Sequence, residues 1–313
     1  MIRLLTAAAA LALLIGCDGT QPLDFGTPPP VDPPLTEEEV EEQAAIAASI
    51  AGDLDGGSYS AAAGTLTVQI TLDVGGPVAA VYTRNAALDV PGYIAFSVQE
   101  DPLDRIFIGM GARSADSSVE GVLAMDGGQF NRFFGGTTFR QIGTYSEAPS
   151  GPGSTLVSYA GNYVGLSNQP ATSANIGLPI PPGTPPGAIP VQASRVTGQV
   201  FINADFADNA VNGLIYNRTN LDATQVLEDV VLIVAPIDSA GRFLGEVEDS
   251  EQNRIGDYGG TFGGLNASGI AGGVHLENYI DGVENEEEFG IFVLTQCGLA
   301  GDAAICDGVR PDF

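Results

Sequence analysis

The spacing of apolar and polar residues changes character several times along this chain. Leu4 to Ile15 is an apolar stretch behind Arg3. It is too short for a bilayer-spanning helix, which takes about 20 residues, and it has the layout of an export signal. Residues 18–35 show no periodicity; Pro22, Pro28, Pro29, Pro30, Pro33 and Pro34 keep such a segment extended. Thr36-Glu37-Glu38-Glu39 forms a capping box ahead of Val40, Ala44, Ala45, Ile46 and Ile50, which predicts a short helix over 37–51. Asp53-Leu54-Asp55-Gly56-Gly57 lacks the later ligands of a calcium loop and reads as the turn that ends this helix.

From Gly64 the period is two. Leu66, Val68, Ile70 and Leu72 alternate with Thr and Gln, as a half-buried strand requires. Further strand-like runs are Val78 to Tyr82, Tyr93 to Val98, Arg105 to Gly111 and Val119 to Met125, followed by the Gly-rich aromatic stretch Phe130 to Gly136. This first β region contains no recognisable chemistry. A second, more regular series comprises Tyr159 to Leu166, Val196 to Phe206, Val211 to Arg218, Glu228 to Ile237, Arg242 to Glu248, Tyr258 to Gly264, Ile270 to Tyr279 and Glu288 to Cys297. A Pro-rich loop, 167–194, follows the first of them and is too long for a hairpin turn, so it is expected as a surface excursion. Eight antiparallel strands at this spacing fit a closed up-and-down barrel without free edges. Val230 to Ala235 is apolar on both faces, so this strand is expected to be covered outside the barrel too, by the first β region or the helix.

The pattern therefore predicts an all-β protein: a C-terminal eight-stranded antiparallel β-barrel preceded by a strand-rich domain and a short N-terminal helix. The expected division is a signal peptide at 1–16 and a cysteine with a Pro-rich tether at 17–35. A short helix follows at 36–56, a β domain at 57–154, the barrel at 155–297 and a tail at 298–313.

Composition narrows the function. The chain has 313 residues and a formal charge of −28, with 39 acidic residues against 11 basic ones. All the basic residues are arginine. That balance excludes a nucleic-acid binder, which needs cations to displace counterions from phosphates. It also argues against docking on anionic lipid through protein charge.

Leu14-Ile15-Gly16-Cys17 matches the lipobox of bacterial lipoproteins. In that family the cysteine thiol receives a diacylglyceryl group, the preceding peptide is removed and the new amino terminus is acylated. Cys17 is thus the expected lipidation site, and several acyl chains on one cysteine give a stable anchor. A plain secretory signal with a chance cysteine is the alternative. Asp18 leaves the choice of membrane open. The other cysteines, Cys297 and Cys306, have eight residues between them and read as one disulfide in an exported protein. A zinc site needs about four ligands, and His275 is the only histidine.

Two copies of Gly-x-aromatic-x-Gly stand nineteen residues apart, Gly241-Arg242-Phe243-Leu244-Gly245 and Gly260-Thr261-Phe262-Gly263-Gly264. With a period of two, each Phe shares a face with its flanking glycines. Glycine lets a narrow barrel bend, and a ring from the adjacent strand can cover the backbone it leaves bare. Gly241, Phe243, Gly245, Gly260, Phe262 and Gly264 are thus structural rather than catalytic. Together with Ile202 to Phe206, Asn212-Gly213 and Glu288 to Phe292, they resemble the barrel domain of transferrin-binding protein B and related bacterial surface lipoproteins. Those proteins combine a lipidated cysteine, a flexible anchor, a strand-rich handle domain and an eight-stranded barrel. The first β region matches the handle only by position and strand content. Here there is one handle-barrel unit rather than two, so transferrin itself is not carried over, and no ligand-contacting loop transfers.

The resemblance implies a non-enzymatic, monomeric binding protein of the cell envelope, on the outer rather than the inner membrane. Its implied ligand is a protein or an iron- or haem-related compound, and its only attached group is the lipid on Cys17. No metal site and no catalytic residue are expected. His275 lies in the alternating stretch Val274-His275-Leu276-Glu277 and reads as a surface or satisfied histidine, with a haem ligand as the alternative. Glu284-Asn285-Glu286-Glu287-Glu288 reads as a solvated turn rather than a calcium site. Two other functions stay open: a structural envelope lipoprotein with a filled barrel, and a hydrolase with a carboxylate pair in a cleft.

Overall fold

The computed structural model describes residues 36–308 apart from 61, 73–75, 150–155 and 174. The signal peptide, Cys17, the Pro-rich tether and the last residues of the tail lie outside the described residues. Helix α1 is Glu37–Ala51. The capping box closes in both directions: the Thr36 hydroxyl accepts from the Glu39 amide at 3.3 Å, and the Glu39 carboxylate accepts from the Thr36 amide at 2.7 Å. The helix buries Ile46 and Ile50. Among the described residues no helix is long and apolar enough to cross a membrane.

The first β region is a seven-stranded antiparallel meander of β1 (Leu54–Ser60), β2 (Thr65–Ile70), β3 (Val78–Arg84), β4 (Ile94–Val98), β5 (Phe107–Arg113), β6 (Val119–Asp126) and β7 (Gly135–Gln141). Its first strand lies back against β6 and β7, so the sheet is nearly closed. Strand β1 occupies residues read from sequence as a turn. The helix ends instead at Gly52, whose φ of 54° suits glycine, and Leu54 already starts the strand. The run Gly56-Gly57 is there for closeness rather than for turning: a Cβ on Gly57 would stand 2.8 Å from Val122 and 3.0 Å from Thr138.

The second region is a closed eight-stranded antiparallel barrel. Its strands are β8 (Leu156–Pro170), β9 (Ala193–Asp205), β10 (Ala210–Asn220), β12 (Val230–Pro236), β13 (Arg242–Glu248), β14 (Arg254–Gly263), β15 (Gly269–Glu277) and β16 (Glu287–Thr295). A two-residue strand, β11 (Gln225–Val226), extends the edge of β10. The ring runs β10-β12-β13-β14-β15-β16-β8-β9 and closes through β9 and β10. Closure leaves no edge to aggregate. The ladders are uneven: β15 and β16 pair without interruption from Gly269↔Thr295 to Glu277↔Glu287, whereas β12 and β13 pair only at Val231↔Glu248 and Leu232↔Val247 before a bridge at Ile237↔Phe243. Tyr258 spans this gap from inside, donating to the Ile233 carbonyl.

The barrel is filled. Phe262 is fully buried with its centroid 5.1 Å from Phe206, 5.4 Å from Phe243 and 5.6 Å from Tyr159. Two glycines of the repeated motif, Gly245 and Gly260, take rings from the neighbouring strand. Phe243 faces Gly260 in register and would collide with any Cβ there, and Tyr258 faces Gly245 with a ring carbon 2.6 Å from where a Cβ would be. Gly272 and Phe292, opposed on β15 and β16, repeat the device. Gly241 and Gly264 sit at the strand ends with φ of 75° and 76°.

The two sheets and α1 share one interface. Gly121 of β6 meets Val293 and Ile291 of β16, Gly263 meets Val119 and Ser118, and Gly273 meets Thr137 of β7 and Ile50 of α1. Strand β6 is consequently buried along its whole length. The strand expected to be covered, β12, is not: Val231 and Val234 are exposed at 37% and 64%. The helix and first sheet lie on β14, β15 and β16 instead, because the small outward residues there let a second backbone come close.

The Pro-rich loop runs over the surface as expected, but it is shorter than 167–194 and is tied down. Its strands extend to Pro170 and from Ala193, and the loop between them returns to the first sheet. Val191 exchanges backbone hydrogen bonds with Gly127 and Gly128 at 3.0 and 2.9 Å, and the Leu178 amide donates to Gln99 at 2.7 Å. It is a strap between the two sheets, since its amides need partners that a free excursion would have to find in water.

Candidate functional site: an acid-lined cleft at one end of the barrel

Because the interior is packed, ligand-sized space exists outside it. One recess, of about 720 Å³, opens at the barrel end formed by the β10–β12, β13–β14 and β15–β16 connections. Glu228, Asp249, Glu251, Asp257, Glu277 and Asp281 line it. These residues come from three connections and two strands that only barrel closure brings together. Against them stands Arg254, already committed to Asp257 at 2.7 Å and Glu246 at 3.0 Å. The cleft wall therefore carries a strong excess of negative charge and attracts cations. The Asn253 side chain and amide, both 2.9 Å from the Asp249 carboxylate, hold it below the usual carboxylate range, so it stays charged.

Tyr279 lines the cleft and covers a buried charge network. Glu288 and Arg218 are both fully buried and pair at 2.8 Å. The Tyr163 and Tyr279 hydroxyls donate to Glu288 at 2.6 and 2.7 Å, and Arg218 donates to the Glu228 carbonyl at 2.8 Å. Burial opposes the charge on Arg218, but Glu288 and the two tyrosines more than offset it and raise its pKa. Both tyrosine hydroxyls are pushed well up, first by burial and then by Glu288. One partner alone would be a costly buried charge, so the pair fixes the barrel end and the cleft floor. Here the acidic run 284–288 departs from the solvated turn expected: Glu284 is exposed, while Glu286 and Glu288 are buried. Glu286 accepts from the Ile280 amide at 2.6 Å.

His275 stands on the outer barrel face at the cleft edge, 6% exposed. Its Nδ1 is 2.8 Å from the Ser49 hydroxyl, its Nε2 is 3.1 Å from Glu287, and its ring lies parallel on Phe289 at 4.3 Å. This is a satisfied histidine.

The remaining sequence candidates lie elsewhere. Cys297 and Cys306 are joined by a disulfide, Cα atoms 5.3 Å apart, at the opposite barrel end. The motif residues Gly241, Phe262 and Gly264 build that same end, while the opposed pair Phe243 and Gly260, and then Gly245, sit further along the wall. None of them lines the cleft. The cleft acids were not legible beforehand, since each lies in a short polar turn resembling any other. The nearest signal was the acidic run at 284–288.

No family profile matches this chain, and no curated protein matches it. Solved structures do. The chain is similar to intact Ap-TbpB with its N and C lobes at 11% identity and a TM-score of 0.38, covering 76% of this chain and 53% of that one. It is similar to a double mutant of the vaccine antigen transferrin-binding protein B from Haemophilus parasuis at 11% identity and 0.38, with 78% and 53% covered. The isotype 1 protein from serogroup B Neisseria meningitidis matches at 13% and 0.34, with 78% and 52% covered. The chain spans about half the length of these structures. A likeness of this degree says nothing of function, which rests below on the site itself.

Proposed function

We propose that this chain is a lipid-anchored envelope protein, held through Cys17 on the outer membrane, that captures a protein ligand without turnover. In this reading the acid-lined cleft holds a segment of the ligand rich in Lys or Arg. The observation that carries it is the pairing of a filled barrel with a recess of about 720 Å³ whose single arginine is already paired. The chain charge of −28 would steer a cationic partner toward it. A haem-related ligand suits the cleft less well, because its carboxylates would meet carboxylates. Support for the anchor is the lipobox and the proline-rich spacer of the sequence.

The test uses the full chain and a lysine- and arginine-rich peptide, titrated at low and high salt. Binding that weakens with salt, and weakens further when Asp249, Glu251 and Asp281 become amides, supports the reading. Equal binding by wild type and the triple variant overturns it. Labelled palmitate should attach to the wild type and not to Cys17→Ala.

A filled structural barrel remains the second reading, favoured by the packed interior. Exposed apolar side chains in the connections, among them Val226 at 83% and Leu265 at 70%, weigh toward a contact surface. The hydrolase reading asks for two facing acids with one pKa held up. Asp126 is raised by burial, but its carboxylate is tied to Arg105 at 2.5 Å and to the Phe134 amide at 2.7 Å, away from the cleft.

A further inference from the structure

The register of β14, β15 and β16 sets an unusual group of side chains on the outer face of the barrel. His275 lies between Asp257 and Phe289, and one step along Glu277 lies directly opposite Glu287. Two carboxylates directly opposed across an antiparallel pair destabilise it. Asp257 and Glu246 share Arg254 as counter-charge. Glu277 and Glu287 have, among the described residues, His275 alone: its Nε2 is 3.7 Å from one and 3.1 Å from the other.

The imidazole cannot turn away. It is pressed flat on Phe289, and Nδ1 is held by Ser49 of α1, a separate element, so Nε2 stays aimed at both carboxylates. Holding one ring nitrogen with a hydrogen bond while the other faces anionic donors is how metal sites orient a histidine ligand. The three donor atoms all lie within 4.8 Å of one another. Two donors about 2.1 Å from a tetrahedral ion stand about 3.4 Å apart, which falls between the two distances from Nε2.

We propose that His275 Nε2, Glu277 and Glu287 bind one divalent first-row transition ion at the edge of the cleft. One imidazole with two carboxylates suits zinc and its neighbours, whereas calcium and magnesium favour all-oxygen sets. Glu277 is 55% exposed, so it can close the small gap and leave the remaining coordination positions to water. The surrounding carboxylates raise the local cation concentration. The site stands whether or not the cleft captures a protein, because the peptide test draws on Asp249, Glu251 and Asp281 in other positions.

The experiment is calorimetric titration of zinc chloride into the full chain after chelator treatment, with cobalt absorption as a second readout. The expected result is one ion per chain and cobalt bands in the visible. Affinity should fall at least about tenfold in Glu277→Gln and in His275→Gln and be unchanged in Asp208→Asn, in the exposed β9–β10 turn at the opposite barrel end. Glu277 is an exposed position, so its variant keeps the test valid should His275→Gln fail to fold. No binding overturns the proposal, as does binding of several ions that survives Glu277→Gln. Loss of peptide binding with zinc binding intact sinks only the capture reading, and the reverse sinks only this one.

Discussion

The barrel has two walls of opposite character. On β14, β15 and β16 the outward positions include glycines at 263, 269 and 273, and a second sheet and a helix lie on them. On β10 and β12 the outward positions carry Leu214, Val231 and Val234, and these stay in partial or full contact with solvent. The more apolar wall is the bare one. Hydrophobicity rewards coverage only when a partner backbone can approach, and here that approach depends on missing side chains rather than on greasy ones.

The largest effect should come from refilling such a gap. A side chain on Gly136 would overlap the Ala51 carbonyl at the end of α1. Gly136→Val should cost about 3 kcal/mol in urea unfolding, and a loss below about 0.5 kcal/mol would show that β7 and the end of α1, which together cover the barrel wall, can move apart. Next, the tail closed by the disulfide places Gly301 against Ala115 and Ala303 near Gly161, sealing one rim of that wall. Replacing both Cys297 and Cys306 with serine should lower stability by about 2–3 kcal/mol, from the loop-closure entropy of so short a ring.

A smaller, pH-dependent effect belongs to Asp116, which accepts from Ser268 of the barrel at 2.5 Å and from Ser114 at 2.7 Å. Burial works against its charge, but Ser268, Ser114 and Ser118 outweigh this and hold its pKa at about 2. A lowered folded-state pKa means that its stabilisation is complete above the unfolded value and lost as pH falls through about 2. The gap in urea midpoint between wild type and Asp116→Asn should close over that window; a gap independent of pH would refute the role. Smallest of all, Val234→Thr on the bare wall should change stability by less than about 0.5 kcal/mol. A loss of 2 kcal/mol or more, roughly that of a buried aliphatic side chain, would mean that something covers it in solution.

The capping box made α1 legible, and alternation did the same for most of the barrel strands, with Val230 to Ala235 marked instead by a continuous apolar run. The ring of Phe243 on Gly260 was readable from the repeated motif, because the two copies lie on adjacent strands, whereas Tyr258 on Gly245 lies outside both copies. Strand β1 was hidden by Gly56 and Gly57, which signal a turn unless the overlying Val122 is known. The burial of Glu288 depended on Arg218, seventy residues away, and the cleft on acids from separate turns. In each case the deciding contact is set by closure of the ring, which no local pattern records.

The short ladder between β12 and β13 gives the cylinder a preferred place to unzip. With two paired positions and one hydroxyl bracing the gap, amides of Val234 and Leu244 should trade hydrogen for deuterium sooner than those along β15. Any breathing of this wall would begin there and leave the helix-backed half intact.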